Sequence, residues 1–363
     1  MAALAIHHVL DTLAVGGAEV LVSALARAQK KAGHEVAVHC IAGAGPLAAD
    51  LERAAIPVRI HARPRRALTL VRLFLDFRGG RPDVVHCHNI APTVLGALAA
   101  TLARVPCIVA TRHGTATRNP RFERKFWLAA RLCHRVVAVS RSAAERLAVA
   151  AWARADKLVL IPNGAPAPAP PPPGTSPAGR TDAFTLISVG RLHRVKDYPT
   201  LLRAVAPAAV ELPALRLLVL GDGPERERLE SLANALGLAG HVRFLGVQRD
   251  VGRWLASADA FVLASISEGL PLALIEALAA GLPAIVTDVG GMPEVVRCCG
   301  SGIVVPPAQP EALAGAIVAL ARDPARLRSL SEAARRCYAA HFTLDRMVAD
   351  YFRLYLDILS FGL

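Results

Sequence analysis

A chain of 363 residues that is 53% hydrophobic can bury the cores of two ordinary α/β domains. It contains no run of 18 uncharged apolar residues, so we predict no membrane-spanning helix. Its seven cysteines lack metal-type spacing, which favours reduced thiols in a cytosolic protein. The net charge of +13 is confined to residues 1–162, since residues 163–363 are neutral overall, and this asymmetry predicts an anionic partner for the first half.

Strand-like and helix-like segments alternate through the first half, which begins with a short apolar run typical of a buried strand rather than a secretory signal. The predicted strands are residues 4–10, 35–41, 57–61, 83–87, 107–111, 135–139 and 158–161. The predicted helices are residues 17–32, 46–54, 66–78, 92–103, 121–133 and 141–151. This alternation with short connections predicts a parallel, doubly wound sheet.

A proline tract from Asn163 to Gly174 interrupts the pattern and predicts a stiff linker. The alternation then restarts, with predicted strands at 185–189, 216–220, 242–245, 260–263, 284–287 and 302–305 and helices near 198–206, near 224–236 and from 271. The last segment, 343–359, carries an apolar stripe at helical spacing. We therefore predict Rossmann-like domains at 1–162 and 181–342, a linker at 163–180, and a C-terminal helix at 343–363 that packs back on the first domain.

The most specific motif is Ser267-Glu-Gly-Leu-Pro-Leu-Ala-Leu-Ile-Glu276, in which seven residues separate the two glutamates. Gly269, Leu270, Pro271 and Leu272 lie at a predicted loop-to-helix junction, where free backbone N–H groups can bind an anion. Two isolated glutamates would be read as a loop acid and a helix acid. The flanking Gly-Leu-Pro and the later Ala-Gly-Leu-Pro favour a binding site instead.

This motif resembles the Glu-x7-Glu signature of the family 4 glycosyltransferases, which are retaining enzymes with the GT-B fold. Further stretches, in order over nearly the whole chain, resemble other signatures of the family: Gly16-Gly17-Ala-Glu, Asp83-Val-Val-His-Cys-His88, Thr111-Arg-His-Gly114, Ile161-Pro-Asn-Gly164, Val189-Gly-Arg-Leu-His-Arg-Val-Lys-Asp197 and Val289-Gly-Gly-Met-Pro-Glu294. Two positions depart from the family pattern. Ala165 and the proline tract replace an acidic residue, and Asp197 stands where the family more often has glycine.

The resemblance implies a GT-B architecture, in which two Rossmann-like domains face each other across a cleft. It implies that the first domain binds the acceptor and that the second binds a nucleotide-diphosphate sugar. Transfer from such a donor leaves charge on a phosphate oxygen, which must be stabilised as it develops. Many glycosyltransferases use a divalent metal held by an Asp-x-Asp pair, but no two aspartates of this chain are two positions apart. We therefore expect no metal and no other cofactor.

Arg191 and Lys196 follow a predicted strand and are the expected clamp for the donor diphosphate. Two ordinary surface cations are the alternative interpretation. An ionised Glu276 is suited to accept hydrogen bonds from the ribose hydroxyls. Glu268 is expected to contact the donor sugar and not to act as a nucleophile, because the family's retaining step is described as same-face attack assisted by the donor phosphate.

In the first domain, Gly16 and Gly17 would let the backbone approach a phosphate at the start of a helix, although a glycine pair also occurs in turns without a ligand. The resemblance places His113 against the donor sugar. His86 and His88 share one face of a predicted strand. Since no carboxylate or thiolate completes a metal site there, a structural or acceptor-side role is favoured.

Residues 121–135, drawn as a helix, place Phe122, Phe126, Ala129, Ala130 and Cys133 on one face. The opposite face combines leucines with five basic residues: Arg121, Arg124, Lys125, Arg131 and Arg135. This mixture favours contact with an anionic membrane over nucleic acid, for which stacking aromatics are missing. Residues 61–75 form a second basic and apolar cluster, and a solvated basic face is the alternative for both.

These observations predict a retaining, metal-independent glycosyltransferase that uses a UDP- or GDP-linked sugar. The expected acceptor is a saccharide or lipid-linked saccharide in bacterial surface polysaccharide or glycolipid synthesis. The expected location is the cytoplasm, with peripheral attachment to the inner face of the membrane. A sugar-nucleotide epimerase, a phosphorylase of the same fold and a non-catalytic sugar-nucleotide binder remain as alternatives.

Overall fold

The computed structural model describes residues 3–62, 65–114, 120–149, 154–168 and 183–360. These residues belong to two compact units, one combining Met1–Gly164 with Leu344–Leu363 and the other consisting of Ala165–Thr343. Most of the segment predicted as a linker, residues 169–180, lies outside the described residues.

A parallel sheet forms the centre of the first unit. Its strands are β1 (Ala5–Leu10), β2 (Glu35–Cys40), β3 (Val58–Ile60), β4 (Val84–His88), β5 (Cys107–Arg112), β6 (Arg135–Ala138) and β7 (Leu158–Leu160). They lie in the order β3-β2-β1-β4-β5-β6-β7. The central strands are short and buried on both faces, as expected for a sheet covered by helices, although β2 and β4 carry histidines among their apolar residues.

The helices of the first half connect these strands. They are α1 (Gly17–Lys31), α2 (Ala48–Arg53), α3 (Arg66–Gly80), α4 (Ile90–Leu102), α5 (Pro120–Ala130) and α6 (Arg141–Ala148). The helix predicted at 121–133 ends at Ala130 in the structure. Leu132 and Cys133 form a turn with Ala129 and Ala130 before β6 begins.

A second parallel sheet forms the centre of the second unit. Its strands are β8 (Thr185–Val189), β9 (Arg216–Leu220), β10 (Val242–Gly246), β11 (Ala260–Leu263), β12 (Ala284–Thr287) and β13 (Gly302–Val305), in the order β10-β9-β8-β11-β12-β13. Its helices are α7 (Tyr198–Glu211), α8 (Arg226–Ala235), α9 (Val251–Leu255), α10 (Leu272–Ala279), α11 (Met292–Cys299), α12 (Pro310–Ala321) and α13 (Pro324–His341). The sequence analysis did not assign α9, α11, α12 or α13.

The C-terminal helix α14 (Leu344–Ser360) belongs to the first unit. Its apolar stripe is buried, and two tyrosines on that stripe also make polar contacts with the first sheet. The Tyr355 hydroxyl lies 2.7 Å from Nδ1 of His86, and the Tyr351 hydroxyl lies 3.1 Å from Oγ1 of Thr111. The helix is therefore fixed to β4 and β5 by hydrogen bonds as well as by packing.

The cysteine prediction is wrong for two residues. Cys299, at the end of α11, forms a disulfide with Cys337 of α13. The remaining cysteines of the described chain are free, and four of these five are buried. Sequence spacing could not reveal the pair, because α11 and α13 had not been assigned and meet only in the folded second unit.

Both sheets have the Rossmann strand order, in which the direction of chain progression reverses beside the first strand of the sheet. The reversal falls between β1 and β4 in the first unit and between β8 and β11 in the second. In open α/β sheets, ligands bind at the carboxyl ends of the strands at this reversal. The loops after these four strands are therefore the first place to look for a site.

Candidate active site

The loops after β8 and β11 bring two of the predicted donor-site residues into contact. Nζ of Lys196 lies 2.7 Å from Oε1 of Glu268, and the two side chains are only 16% and 12% exposed. The hydroxyl of Ser265 donates a second hydrogen bond to the same carboxylate oxygen, at 2.8 Å. Glu268 is thus held in one orientation by a cation and a hydroxyl, a contribution of Ser265 that the sequence analysis missed.

Gly190 makes room for the Lys196 side chain. A Cβ on Gly190 would lie 3.1 Å from Cε of Lys196 and 3.4 Å from the hydroxyl of Tyr198. Tyr198 is buried below this loop, and its hydroxyl donates to the Gly190 carbonyl at 3.3 Å. A side chain in place of the glycine of the Gly-Arg-Leu segment would therefore crowd Lys196 and Tyr198. Arg191, the other predicted clamp residue, follows it on the exposed surface of the loop.

Asp197 shows why the family more often has glycine at this position. Its φ is +46°, in the left-handed region that favours glycine, and it is the N-cap residue directly before α7. Aspartate tolerates this region better than most residues do. The departure from the family pattern consequently leaves the Lys196 loop in place.

The Val-Gly-Gly-Met-Pro-Glu stretch contacts the backbone of the Glu268 loop. Gly290 has φ +60°, and a Cβ on it would lie 2.1 Å from the Glu268 carbonyl oxygen. The next residue, Gly291, donates its N–H to the Gly269 carbonyl at 2.6 Å. This backbone contact is possible only without a side chain at position 290. The Val-Gly-Gly-Met-Pro-Glu stretch and the Glu268 loop therefore pack against each other.

Helix α10 carries Glu276 on its second turn. The helix begins at Leu272, with Pro271 in extended conformation at the N-cap, so the proline precedes the first turn predicted for it. Leu270, Pro271 and Leu272 are buried and hold the junction in place. Glu276 is half-buried, and this burial raises the pKa of its carboxyl to about 7. Its charged form is therefore disfavoured until hydrogen-bond donors reach it.

In the first unit, Gly16 and Gly17 stand where α1 begins. Gly16 has extended dihedral angles and is the N-cap, and its carbonyl accepts from the N–H of Val20 at 2.9 Å. Since no side chain caps this end of α1, its first backbone N–H groups are presented next to the end of β1. The approach of a phosphate to these N–H groups stays a prediction.

His113 follows β5 and is joined to the end of β4. Its Nε2 lies 3.0 Å from Nδ1 of His88, and its backbone N–H donates to Oδ1 of Asn89 at 3.2 Å. Its buried Nδ1 has no hydrogen-bond partner among the described residues. Burial and the nearby Arg112 cation lower the pKa of His113 to about 4, so the ring is neutral at physiological pH. A neutral imidazole with one unused nitrogen is suited to a hydroxyl group.

The structure agrees only in part with the predicted division of α5 into an apolar and a basic face. Phe126, Ala129, Ala130 and Cys133 are buried as predicted, but Phe122 is 47% exposed, and the buried Trp127 was not assigned to the core face. A buried ion pair from Arg112 to Glu123 at 2.9 Å fixes the helix to the end of β5. The exposed face therefore mixes basic with large apolar side chains: Arg121, Phe122, Arg124, Lys125, Leu128 and Arg131.

Two family models together match most of the chain. The model described as Glycosyltransferase Family 4 matches residues 15–167, and the model described as Glycosyl transferases group 1 matches residues 176–337. The putative glycosyltransferase EpsF of Bacillus subtilis is 30% identical over 302 residues, which are 77% of this chain and 78% of EpsF. The chain belongs to the family 4 glycosyltransferases.

Other members of the family are similar over differing shares of their length. The UDP-Gal:alpha-D-GlcNAc-diphosphoundecaprenol alpha-1,3-galactosyltransferase of Escherichia coli is 28% identical over 308 residues, covering 80% of this chain and 79% of that enzyme. The chain spans half or less of three further curated relatives, at 21%, 45% and 50% of their lengths.

Solved structures show the fold of the family. Anabaena HepE, crystallised with UDP and glucose, superposes with a TM-score of 0.87 at 20% identity, over 98% of this chain and 100% of HepE. The GT-B class predicted from the sequence is confirmed by this likeness and by the two Rossmann-type sheets. Within the described residues, no helix combines the length and the apolar character needed to span a bilayer.

Proposed function

We propose that the chain is a retaining, metal-independent glycosyltransferase that moves a hexosyl group from a UDP-linked sugar to a lipid-linked saccharide during surface polysaccharide synthesis. The contact between Lys196 and Glu268 at the carboxyl ends of β8 and β11 carries this proposal. It joins a cation suited to a diphosphate and a carboxylate suited to a sugar at the reversal of a Rossmann sheet, where donors bind.

The proposed mechanism divides the work between cations and carboxylates. Lys196 and Arg191 stabilise the negative charge that develops on the leaving diphosphate. Glu276 accepts hydrogen bonds from the ribose. Burial raises the pKa of its carboxyl to about 7, and the ribose hydroxyls offset this loss of water by stabilising the charged form. Glu268 orients the sugar, and the acceptor attacks on the face that the leaving group departs from.

Two observations support the metal-independent part. The sequence has no Asp-x-Asp pair, and the cation nearest to Glu268 is a lysine whose amino group is already positioned. In the described parts of the chain, both groups of side chains that could hold a metal ion lie in the first unit. The charge that other glycosyltransferases place on a metal is here supplied by side chains.

The names of similar proteins support the choice of donor and acceptor. The Escherichia coli relative is named for transfer from UDP-Gal to a diphosphoundecaprenol-linked sugar, and HepE was crystallised with UDP and with UDP-glucose. A sugar on a lipid diphosphate also agrees with the excess positive charge of residues 1–162. We therefore favour UDP over GDP and a lipid-linked acceptor over a free saccharide.

Acceptor-dependent release of free UDP tests the proposal directly. The purified chain is incubated with UDP-glucose, UDP-galactose, UDP-N-acetylglucosamine and GDP-mannose, each with and without a lipid-diphosphate monosaccharide. A transferase releases the nucleoside diphosphate only with acceptor, and the anomeric configuration of the product shows retention. A non-catalytic binder releases none, an epimerase converts the sugar without acceptor, and a phosphorylase requires inorganic phosphate, so each of these outcomes would reject the proposal.

Membrane attachment is a second part of the proposal, and α3 supports it. The helix exposes a stripe of three large apolar side chains, Leu68, Val71 and Leu75, which are 50%, 51% and 58% exposed. Exposed arginines flank the stripe, with Arg65 directly before the helix and Arg66 and Arg72 on it. An apolar face bordered by cations is suited to the interface of an anionic bilayer.

Flotation with phosphatidylglycerol vesicles tests this attachment. We expect salt-sensitive flotation of the native chain that is weakened by Leu75→Ser and unaffected by Val210→Ser, a matched control on α7 in the second unit that is 82% exposed. The location would then be cytoplasmic and peripheral on the inner face of the membrane. Equal flotation of both variants, or none by the native chain, would remove this part of the proposal.

A further inference from the structure

The first sheet separates two clusters of buried histidines. His7 and His8 are neighbours on β1, so their side chains point to opposite faces of the sheet. His8 joins His86 and His88 of β4, and His7 joins His39 of β2 and His61, which directly follows β3. The two clusters differ in how their ring nitrogens are used.

Hydrogen bonds within the protein satisfy the cluster of His8, His86 and His88. The two nitrogens of His86 lie 2.7 Å from the Tyr355 hydroxyl and 2.7 Å from Oγ1 of Thr111. Nδ1 of His8 lies 3.1 Å from Nε2 of His88, and Nε2 of His8 lies 2.7 Å from Oε1 of Gln29. Because every nitrogen of His86 and His8 already has a protein partner, this cluster does not need an ion.

The cluster on the other face has a different geometry, because three atoms converge on one point. Nδ1 of His39 and Nε2 of His61 are 2.9 Å apart, and Oδ2 of Asp76 lies 3.9 Å from the former and 3.4 Å from the latter. A single hydrogen can satisfy only one of these three pairs. Ligands of a tetrahedral zinc ion, with bonds near 2.0–2.1 Å, lie about 3.3 Å from each other, which is close to the mean of the three distances.

The surroundings of these three atoms resemble the outer shell of a metal site. Nε2 of His39 lies 3.0 Å from Nδ1 of His7, so that His39 can donate its second N–H while Nδ1 faces the centre. Nη1 of Arg59 lies 3.3 Å from the other oxygen of Asp76, which leaves Oδ2 for the centre. The side chain of Asp76 is 32% exposed, whereas those of His39 and His61 are buried, so Asp76 lies on the side of the cluster that is nearer to solvent.

We propose that His39, His61 and Asp76 bind a divalent zinc-like ion, with water as the fourth ligand. Two imidazoles and one carboxylate are the donor set of zinc rather than of magnesium or calcium, which prefer oxygen ligands. This inference departs from the expectation that the chain binds no metal. It is independent of the transfer reaction, since all three ligands belong to the first unit and the proposed clamp belongs to the second.

A structural role follows from the elements that the ion would join. β3 is a three-residue edge strand whose Arg59 and Ile60 are exposed, and α3 buries only Thr69, Leu73 and Phe77. Both elements therefore have little apolar area to hold them. An ion bound by His39, His61 and Asp76 would fix the end of β3 and the last turns of α3 to β2. It would thereby also fix the exposed apolar stripe that α3 carries.

Zinc titration of the full-length, tag-free chain tests the proposal. Cys298 is exposed and is first changed to Ser, so that no accessible thiol competes for the metal. We expect one Zn²⁺ per chain by calorimetry and elemental analysis, a higher Tm with zinc, and, after loading with Co²⁺ alone, the visible spectrum of a tetrahedral site without thiolate charge transfer. His61→Gln or Asp76→Asn should lower the affinity at least about 100-fold, and Arg59→Gln about 10-fold.

Controls separate the site from general histidine binding. His241→Gln, in the second unit, should leave the stoichiometry and affinity unchanged. Failure of the native chain to bind one zinc or to give the tetrahedral Co²⁺ spectrum overturns the proposal, as does binding that survives both His61→Gln and Asp76→Asn. Circular dichroism establishes whether each variant folds. If a variant does not fold, the zinc stoichiometry and the Co²⁺ spectrum of the native chain decide whether the site exists.

Discussion

The amino group of Lys196 lies 2.7 Å from the carboxylate of Glu268, so the two residues proposed to hold opposite ends of the donor's phosphate–sugar bond are already in contact in the ligand-free chain. A diphosphate that enters this site adds negative charge beside a lysine that Glu268 has oriented. The ion pair therefore prepares the cation for its ligand, and the removal of either member should affect both binding and stability.

Lys196→Ala should lower kcat/KM about 10²–10³-fold, the usual effect of losing one group that stabilises developing charge. It should also destabilise the second unit by about 1–3 kcal/mol, because the half-buried carboxylate of Glu268 loses its partner. Steady-state kinetics and urea unfolding measure the two effects. Arg194→Ala, an exposed cation of the same turn, is the matched control and should change neither. Turnover by the Arg191→Ala, Lys196→Ala double variant at the native rate would refute the clamp.

Glu276→Gln should stabilise the fold and weaken donor binding at the same time. The folded-state pKa of about 7 lies above the unfolded value of 4.5, so the carboxylate costs stability as the pH rises through this window. The variant should be more stable by on the order of 1–3 kcal/mol at pH 8 and by clearly less at pH 5.5. Donor affinity should fall about 10–100-fold, because hydrogen bonds to a charged acceptor are lost.

Thermal unfolding at both pH values and calorimetry with UDP-sugar test the Glu276 prediction. If Glu276→Gln changed the free energy of unfolding equally at pH 5.5 and at pH 8, the raised pKa of Glu276 would be contradicted. Unchanged donor affinity would instead contradict the proposed ribose contact.

Gly290→Ala should disrupt the site while Gly300→Ala should not. Both glycines have similar positive φ angles, +60° and +57°, so both variants pay about 1 kcal/mol for the left-handed conformation. Only at Gly290 does the added Cβ meet the Glu268 carbonyl, whereas the space at Gly300 is open. We expect a large loss of kcat/KM in Gly290→Ala alone, and similar kinetics of the two variants would show that the backbone contact does not position Glu268.

The first unit should lose stability in mild acid. Burial lowers the pKa of His8 and of His113 to about 4 and holds those of His86 and His88 well below 6.5. The unfolded chain then binds more protons, so the stabilisation is complete above pH 6.5 and is lost as the pH falls toward 4. Losses of several kcal/mol are expected in total.

Urea unfolding followed by tryptophan fluorescence tests the acid prediction. Trp254→Phe removes the tryptophan of the second unit and leaves two reporters that belong to the first unit, Trp152 and the buried Trp127. The midpoint should fall steeply between pH 7.5 and 5. A constant midpoint over this range would mean that the histidines are not held in neutral form by the fold.

Much of the fold follows from periodic patterns in the sequence. The strands at 185–189, 216–220 and 284–287 have the predicted bounds, because apolar runs of four or five residues are long enough for a buried strand and too short for a typical helix. The helices from α11 to α13 were missed. Only α11 begins within a motif that had been read for its chemistry, and proline stands at the first or second position of each of the three helices.

The candidate site could be predicted only in its parts. The residue types and their spacing indicated Lys196 and Glu268 separately, but their contact depends on the order of strands in the sheet. The pKa of Glu276 depends on burial, and the partnership of Gly290 with Glu268 depends on how two loops cross. The His39, His61 and Asp76 cluster was missed for the same reason, since three separate elements supply it.

Lys196 and Glu268 are 72 positions apart, because α7, β9, α8, β10, α9 and β11 lie between them in the chain. The entropy of closing so long a segment must be offset by the pairing of β8 with β11 before their contact adds any stability. At the usual rate of synthesis of about 5–20 residues per second, Glu268 follows Lys196 from the ribosome after roughly 4–14 seconds. A nascent chain thus carries only one of the two proposed donor-site residues during this interval. Under this proposal, sugar nucleotide can stabilise the second unit only once its strand order is complete.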